Sequence, residues 1–116
     1  MNVITVRVKP NQKRVIVNLP FGSTGLTYAD LTKVSYAREK AAADVAVTPA
    51  TMTVGTWVSG GFIEIDATNC PGLYQFGLPD AALLQGAGFV DFVFYIAGKS
   101  AQDVHLHVEL IRAMAN

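Results

Sequence analysis

The segment Asp103–Ile111, DVHLHVELI, shows most clearly which kind of fold this sequence forms. Apolar and polar residues alternate along it, and side chains of an extended chain point alternately to the two faces of a sheet. One face is aliphatic and the other is ionisable, with Val104, Leu106, Val108 and Leu110 opposed to Asp103, His105, His107 and Glu109. The pattern predicts a half-buried β-strand.

Further segments toward the N-terminus repeat this alternation. FVDFVFYIAG (89–98) is nearly as apolar on one face as on the other, which predicts a strand that is central in its sheet or covered on both sides. Clear strands are also predicted at 3–8, 14–19 and 62–66, and weaker ones at LTKVSYAR, DVAVT and TMTVGTW. Short strands separated by Gly, Pro and Asn every 8 to 12 residues or so are typical of β-sandwiches and barrels. The chain is therefore expected to be all-β: one antiparallel β-sandwich over residues 1–116, of about eight strands, with jelly-roll or immunoglobulin-like connectivity.

The segment Asn69–Leu83, NCPGLYQFGLPDAAL, combines turn signals with a strand. Pro71 and Gly72 suit the middle of a type II turn, since proline fixes φ and glycine accepts a positive φ. Asp80 is expected to begin a single helical turn that Gly86 ends. AREKAAAD (37–44) is compatible with a short helix or with a wide hairpin loop. At most one or two short helical turns are expected. The strand between these signals places Tyr74, Phe76 and Leu78 in the core.

The composition indicates a surface that contacts other proteins. Of the 116 residues 51% are hydrophobic and 16% are charged, against about 25% charged in an average globular protein. The net charge is zero, so no nucleic acid or anionic membrane is predicted as a partner. Basic residues predominate up to Lys40 and acidic ones beyond it. These two regions can pair head to tail between copies, or they can meet within one subunit.

The cysteine count and the absence of targeting patterns indicate the cellular compartment in which the chain is made. Cys70 is the single cysteine, so no disulfide can form within the chain. The start of the sequence lacks the pattern of a secretory signal, and no apolar run approaches the roughly 20 residues that span a bilayer. Synthesis in a cytoplasm is expected.

The ionisable residues form two groups on predicted strands, and neither predicts catalysis. His105 and His107 share a strand face and are weak candidates for metal ligands, because side chains along one straight strand rarely complete a tetrahedron. Glu64 and Asp66 form an acidic pair, with Asp91 as a further member across the sheet, but no cleft is indicated that would separate their pKa values. No nucleotide-binding, zinc or hydrolase motif is present. The prediction is a protein without enzyme activity, bound metal or cofactor.

Two groups of residues are candidates for an interface. The first is a basic turn around KPNQK, which is either a solvated hairpin tip or a clamp on an acidic neighbour. It contains Arg7, Lys9, Lys13 and Arg14. The second is aromatic: Trp57 and tyrosines such as Tyr95 can stack on sugar rings or join a protein interface.

The segment TMTVGTWVSGGFIEIDATNCPGLYQFGLPDAALLQGAG (51–88) resembles a small β-sandwich domain that recurs in tailed-phage and prophage proteins. The matching features are Trp57 before the turn at 59–61, GGFIEIDATN, the Pro-Gly-x-Tyr step, LPDAAL, and a last strand that ends in VEL. The resemblance covers roughly the second half of the chain. It implies a virion component without an active site.

A chain of one such domain is most similar to a capsid decoration or cement protein, which binds the phage head in many copies and stabilises it. A tail or baseplate adaptor is the alternative within the virion. The implied partners are other virion proteins and further copies of the chain, after synthesis in the bacterial cytoplasm. Residues 1–14 are then expected to form a strand or arm exchanged with a neighbour, because they are apolar, β-rich and basic. The alternative from another functional class is a carbohydrate-binding module, which would bind sugar through Trp57 and a tyrosine.

Overall fold

The structure, a computed structural model, describes residues 2–9, 12–19, 25–41, 43–84, 87–98 and 103–111. These residues form eight strands and two short 3-10 turns, which confirms the all-β prediction. The 3-10 turns span Tyr28–Asp30 and Asp80–Leu83. The strands are β1 (Asn2–Val8), β2 (Arg14–Asn18), β3 (Leu31–Arg38), β4 (Val45–Val47), β5 (Phe62–Asp66), β6 (Cys70–Gly77), β7 (Phe89–Ile96) and β8 (Val104–Leu110).

The strands form two sheets that pack as a sandwich. The five-stranded sheet has the order β1-β8-β7-β3-β4, and the three-stranded sheet has the order β2-β6-β5. This is the strand order of immunoglobulin-like sandwiches, whereas a jelly roll joins eight strands through two Greek keys. One pair departs from the expected antiparallel arrangement, since β1 runs parallel to β8.

Aromatic side chains join the two sheets across the core. Phe76 of β6 has no exposed surface, and its ring meets those of Phe92 and Phe94 of β7 edge to face, with centroids 5.4 and 4.8 Å apart. Tyr36 of β3 packs against Phe92 at 5.3 Å. The alternation predicted for β7 and β8 is confirmed, because every second residue of both strands is buried. The remaining positions of these strands face outward and form the surface described below.

The tight turn between β5 and β6 lies before the residues predicted to form it. Pro71 and Gly72 are in the first residues of β6, where Gly72 has the predicted positive φ of 89°, and the turn is made by residues 67–69. The Asp66 carboxylate holds this turn by accepting hydrogen bonds from the amides of Thr68 and Asn69, at 3.0 and 3.1 Å. A hydrogen bond from the Asn69 side chain, together with these two from backbone amides, lowers the pKa of Asp66 below its ordinary value.

The segment TMTVGTW is a loop and not the strand suggested by its alternation. It lies on the outer face of the three-stranded sheet, where Gln75 of β6 is 3% exposed. The Gln75 side chain accepts a hydrogen bond from the Gly55 amide at 3.0 Å and donates one to the Thr53 carbonyl at 3.3 Å. Hydrogen bonds to one buried amide therefore hold the loop in place.

The segment 37–44 is a hairpin loop where the structure describes it, because β3 continues to Arg38 and β4 begins at Val45. The predicted helical turn after Pro79 is present at Asp80–Leu83. Its predicted end at Gly86 lies outside the described residues, as do residues 1, 10 and 11 of the N-terminal segment.

Candidate functional site

The outer face of the five-stranded sheet carries a cluster of ionisable side chains on its central strand, β7, and on the neighbouring strand β8. The register places Asp91 directly opposite His107 and Val93 opposite His105. Facing residues in an antiparallel pair share a side of the sheet, so Asp91 adjoins one histidine across the strands and the other diagonally. We call Asp91, His105 and His107 the Asp-His cluster.

Asp91 bridges the two imidazoles through one oxygen. Its Oδ1 lies 2.8 Å from Nε2 of His105 and 2.5 Å from Nδ1 of His107. The three side chains are 27 to 36% exposed. Burial raises the pKa of Asp91, but hydrogen bonds and charge interactions with the two histidines lower it more, so the pKa lies below its ordinary value. At neutral pH the cluster is thus an ionised carboxylate held between two imidazole rings.

Three further side chains, those of Glu109, Arg7 and Phe89, lie beside the cluster. Oε2 of Glu109 lies 3.8 Å from Nε2 of His107, on the opposite side of the ring from Asp91. Glu109 also accepts a 2.9 Å hydrogen bond from Nε of Arg7, because the parallel register sets β1 beside β8. The ring of Phe89 packs on the His107 ring, with centroids 5.2 Å apart. His107 is consequently oriented by contacts on several sides.

A shallow groove of about 320 Å³ borders the cluster on the β3 side. Its floor is low because Ser35, which is 3% exposed, occupies the middle of β3. Tyr95 and Lys33 form one wall, with the Lys33 Nζ 5.9 Å from the centre of the tyrosine ring. Asp44 lines the groove as well. The groove thus offers an aromatic ring, a cation and a carboxylate beside the cluster.

A second groove, of about 420 Å³, lies on the three-stranded sheet and contains three of the predicted interface residues, Lys13, Arg14 and Trp57. The Lys13 ammonium stands 4.8 Å from the centre of the Trp57 ring, an arrangement of the cation-π type. The indole Nε1 donates a 2.9 Å hydrogen bond to the Leu78 carbonyl. The predicted basic turn and the tryptophan therefore contact each other.

The other predicted interface residues lie elsewhere. Arg7 and Tyr95 are on the outer face of the five-stranded sheet, and Lys9 is exposed just after β1. Two basic residues of the N-terminal region pair with acidic residues of the same chain: Arg7 with Glu109, and Lys13 with Asp80, both at 2.9 Å. The charges of these residues are therefore paired within one subunit.

Sequence reasoning missed the association of Asp91 with the histidines and grouped it with Glu64 and Asp66 instead. Asp91 belongs to the opposite sheet from that pair. Glu64 accepts hydrogen bonds from the amides of Gly25 and Gly72, at 2.8 and 3.1 Å. The sequence contained one signal for the association of Asp91 with the histidines, because Asp91 is the single charged residue of β7. A β7–β8 hairpin brings it to the face of β8 that carries the histidines.

Comparisons with models of protein families, with curated proteins and with solved structures found no match to this chain. Among the described residues, no helix has the length and apolar character that crossing a membrane requires.

Proposed function

We propose that this protein is a non-enzymatic structural component of a tailed-phage virion, a decoration or cement protein that binds the head surface in many copies. The resemblance of residues 51–88 to phage and prophage domains supports the virion assignment. The observation that carries the assembly role is the outer edge of β1, which is paired with no strand among the residues that the structure describes. This strand is seven residues long and ends the five-stranded sheet. A long open edge is a template for pairing with another chain.

The backbone groups on this edge can be assigned from the register. Asn2 donates its amide to the Asp103 carbonyl and Val8 accepts from the Ile111 amide, so even-numbered residues bond to β8. In a parallel pair the intervening residues direct their N–H and C=O groups to the other side. These residues are Val3, Thr5 and Arg7, and within the described part of the chain their backbone groups are available to a further strand.

The proposed occupant of this edge is β1 of a second copy, related by a two-fold axis at Thr5. In such an antiparallel pairing Arg7 of each copy lies opposite Val3 of the other, so like charges do not face each other. Val3 is 64% exposed in the single chain and becomes covered. An exchanged arm is the other form of this proposal, in which β1 of one copy pairs with β8 of its neighbour.

The substitution Thr5→Pro tests the edge pairing. Proline removes an amide that points away from β8, so the contacts within the chain remain and the two-fold pairing is blocked. Thr5→Val is the matched control, because it retains the amide and the preference for strands. We expect untagged wild type and Thr5→Val to be dimers by light scattering and Thr5→Pro to be a folded monomer. An oligomer that persists in Thr5→Pro contradicts edge pairing and favours the exchanged arm.

The virion role is tested separately, by counting the copies of this chain in purified particles with quantitative mass spectrometry. A decoration protein is present at a copy number comparable to that of the major capsid protein. A few copies per particle favour the tail or baseplate adaptor, and absence from the particle contradicts the virion proposal.

The carbohydrate-binding alternative has less support from the geometry. Lys13 stands over the ring of Trp57, which a sugar would otherwise contact. Trp57 is the single tryptophan, so its fluorescence reports on this groove alone. We expect no change on titration with sugars, and saturable quenching would favour the carbohydrate-binding module.

A further inference from the structure

We propose that the Asp-His cluster binds a divalent transition metal of the zinc class, a role that does not depend on the function proposed above. The donors come from two strands, which removes the difficulty of building a site along one straight strand. His105 and His107 come from β8 and Asp91 comes from β7. One ligand atom from each of the three residues lies within 4.8 Å of the others.

The present separations are compatible with coordination. Zinc binds imidazole nitrogen at about 2.0–2.1 Å and carboxylate oxygen at about 2.0–2.2 Å, which sets neighbouring ligands of a tetrahedron roughly 3.4 Å apart. Asp91 Oδ1 is now 2.8 and 2.5 Å from the two ring nitrogens. Both distances are shorter than the required value, and the ligand atoms of the three residues lie within 4.8 Å of one another, so rotations of these partly exposed side chains bring the three donors to a shared ion.

The surroundings also match those of metal-binding histidines. Such residues usually donate their second ring nitrogen to a carboxylate or carbonyl, which fixes the tautomer and the ring orientation. If His107 binds metal through Nδ1, its Nε2–H is directed toward Glu109, now 3.8 Å away. Glu109 is itself held by Arg7 at 2.9 Å. Glu109 is therefore a positioning residue for the site.

Two imidazoles and one carboxylate favour zinc, cobalt, nickel or copper over calcium and magnesium, which prefer oxygen ligands. Three protein ligands leave a fourth tetrahedral position open. Asp91 and His105 also line the groove formed by Tyr95, Lys33 and Asp44, so this groove adjoins the proposed ion. The site thus has room for water or for an oxygen ligand of a partner.

The test is isothermal titration of the untagged protein with Zn²⁺, with Mg²⁺ and Ca²⁺ as controls for the choice of metal. The tag must be removed because His105 and His107 are the two histidines of the chain. We expect one Zn²⁺ per chain and a shift of both imidazole signals in the NMR spectrum. Co²⁺ should give the visible absorption of a tetrahedral site.

Variants separate a metal site from simple ion pairing. Asp91→Asn, His105→Gln and His107→Gln should each weaken Zn²⁺ binding about tenfold or more, and Glu109→Gln should weaken it about 10- to 100-fold while the melting temperature is unchanged. Asp80→Asn, an exposed carboxylate on the other side of the sandwich, is the control and should bind as wild type does. Circular dichroism verifies that each variant is folded. Absence of Zn²⁺ binding, or binding that these cluster variants do not alter, overturns the proposal.

Discussion

The substitution Phe76→Ala should destabilise the sandwich strongly, because Phe76 joins the two sheets. Its side chain has no exposed surface and touches Phe92 and Phe94 across the core. Removing a buried phenylalanine costs about 3–5 kcal/mol, which includes the transfer free energy of the ring and the cavity left behind. The two edge-to-face contacts, at about 0.5–1.5 kcal/mol each, favour the upper half of this range.

This loss is large relative to the total stability of a domain, which is about 5–15 kcal/mol. For a chain of 116 residues, an unfolding entropy near 2.1 cal/mol/K per residue makes 1 kcal/mol equivalent to about 4 °C. The melting temperature should therefore fall by roughly 12–20 °C. Urea denaturation followed by tryptophan fluorescence should show a lower midpoint with an unchanged slope.

Phe89→Ala is the matched control, since Phe89 is half-buried on the outer face of the five-stranded sheet. It should cost less than about 1.5 kcal/mol, because it loses partial burial and one ring contact. If Phe76→Ala destabilises the protein no more than Phe89→Ala does, the core does not lie between the sheets as described.

Two further predictions test other parts of the structure. Gly77→Ala should destabilise by more than about 3 kcal/mol in thermal melts, since the new Cβ would lie 1.9 Å from the Val58 carbonyl oxygen. Gly88→Ala, whose Cβ meets a flexible carboxylate, should cost much less; equal losses would contradict the close approach at Gly77. Asp91→Asn should reduce the acid sensitivity of folding. Because the two histidines hold the pKa of Asp91 below 3.8 despite burial, the stability that Asp91 adds is full above this pH and is lost as pH falls through the folded pKa. Urea midpoints of wild type and variant should converge in this range; a gap that persists would contradict this role of Asp91.

Local alternation in the sequence was sufficient to predict most strands and the core. The buried faces of β7 and β8 follow directly from every second residue being apolar. For β5 the alternation of FIEID predicts that Ile63 and Ile65 face the core, and this prediction was wrong for Ile63, because Phe62 faces the core and Ile63 faces outward beside Gln75. Both residues are apolar, so alternation did not determine which side of the strand is buried.

Features that depend on distant residues could not be predicted. The parallel pairing of β1 with β8 joins the two ends of the chain, and nothing in the alternation of either strand specifies its partner or direction. The Asp-His cluster depends on the β7–β8 register for the same reason. The loop TMTVGTW alternates as a strand does, but its position is set by hydrogen bonds to the buried side chain of Gln75.

The most direct test of assembly through the β1 edge is the solution mass of the untagged protein and of Thr5→Pro, measured by light scattering over a concentration series. The proposal predicts twice the 12.4 kDa of one chain for the wild type and a single chain for the variant. A wild-type monomer at every concentration, or equal oligomers for both proteins, would contradict it.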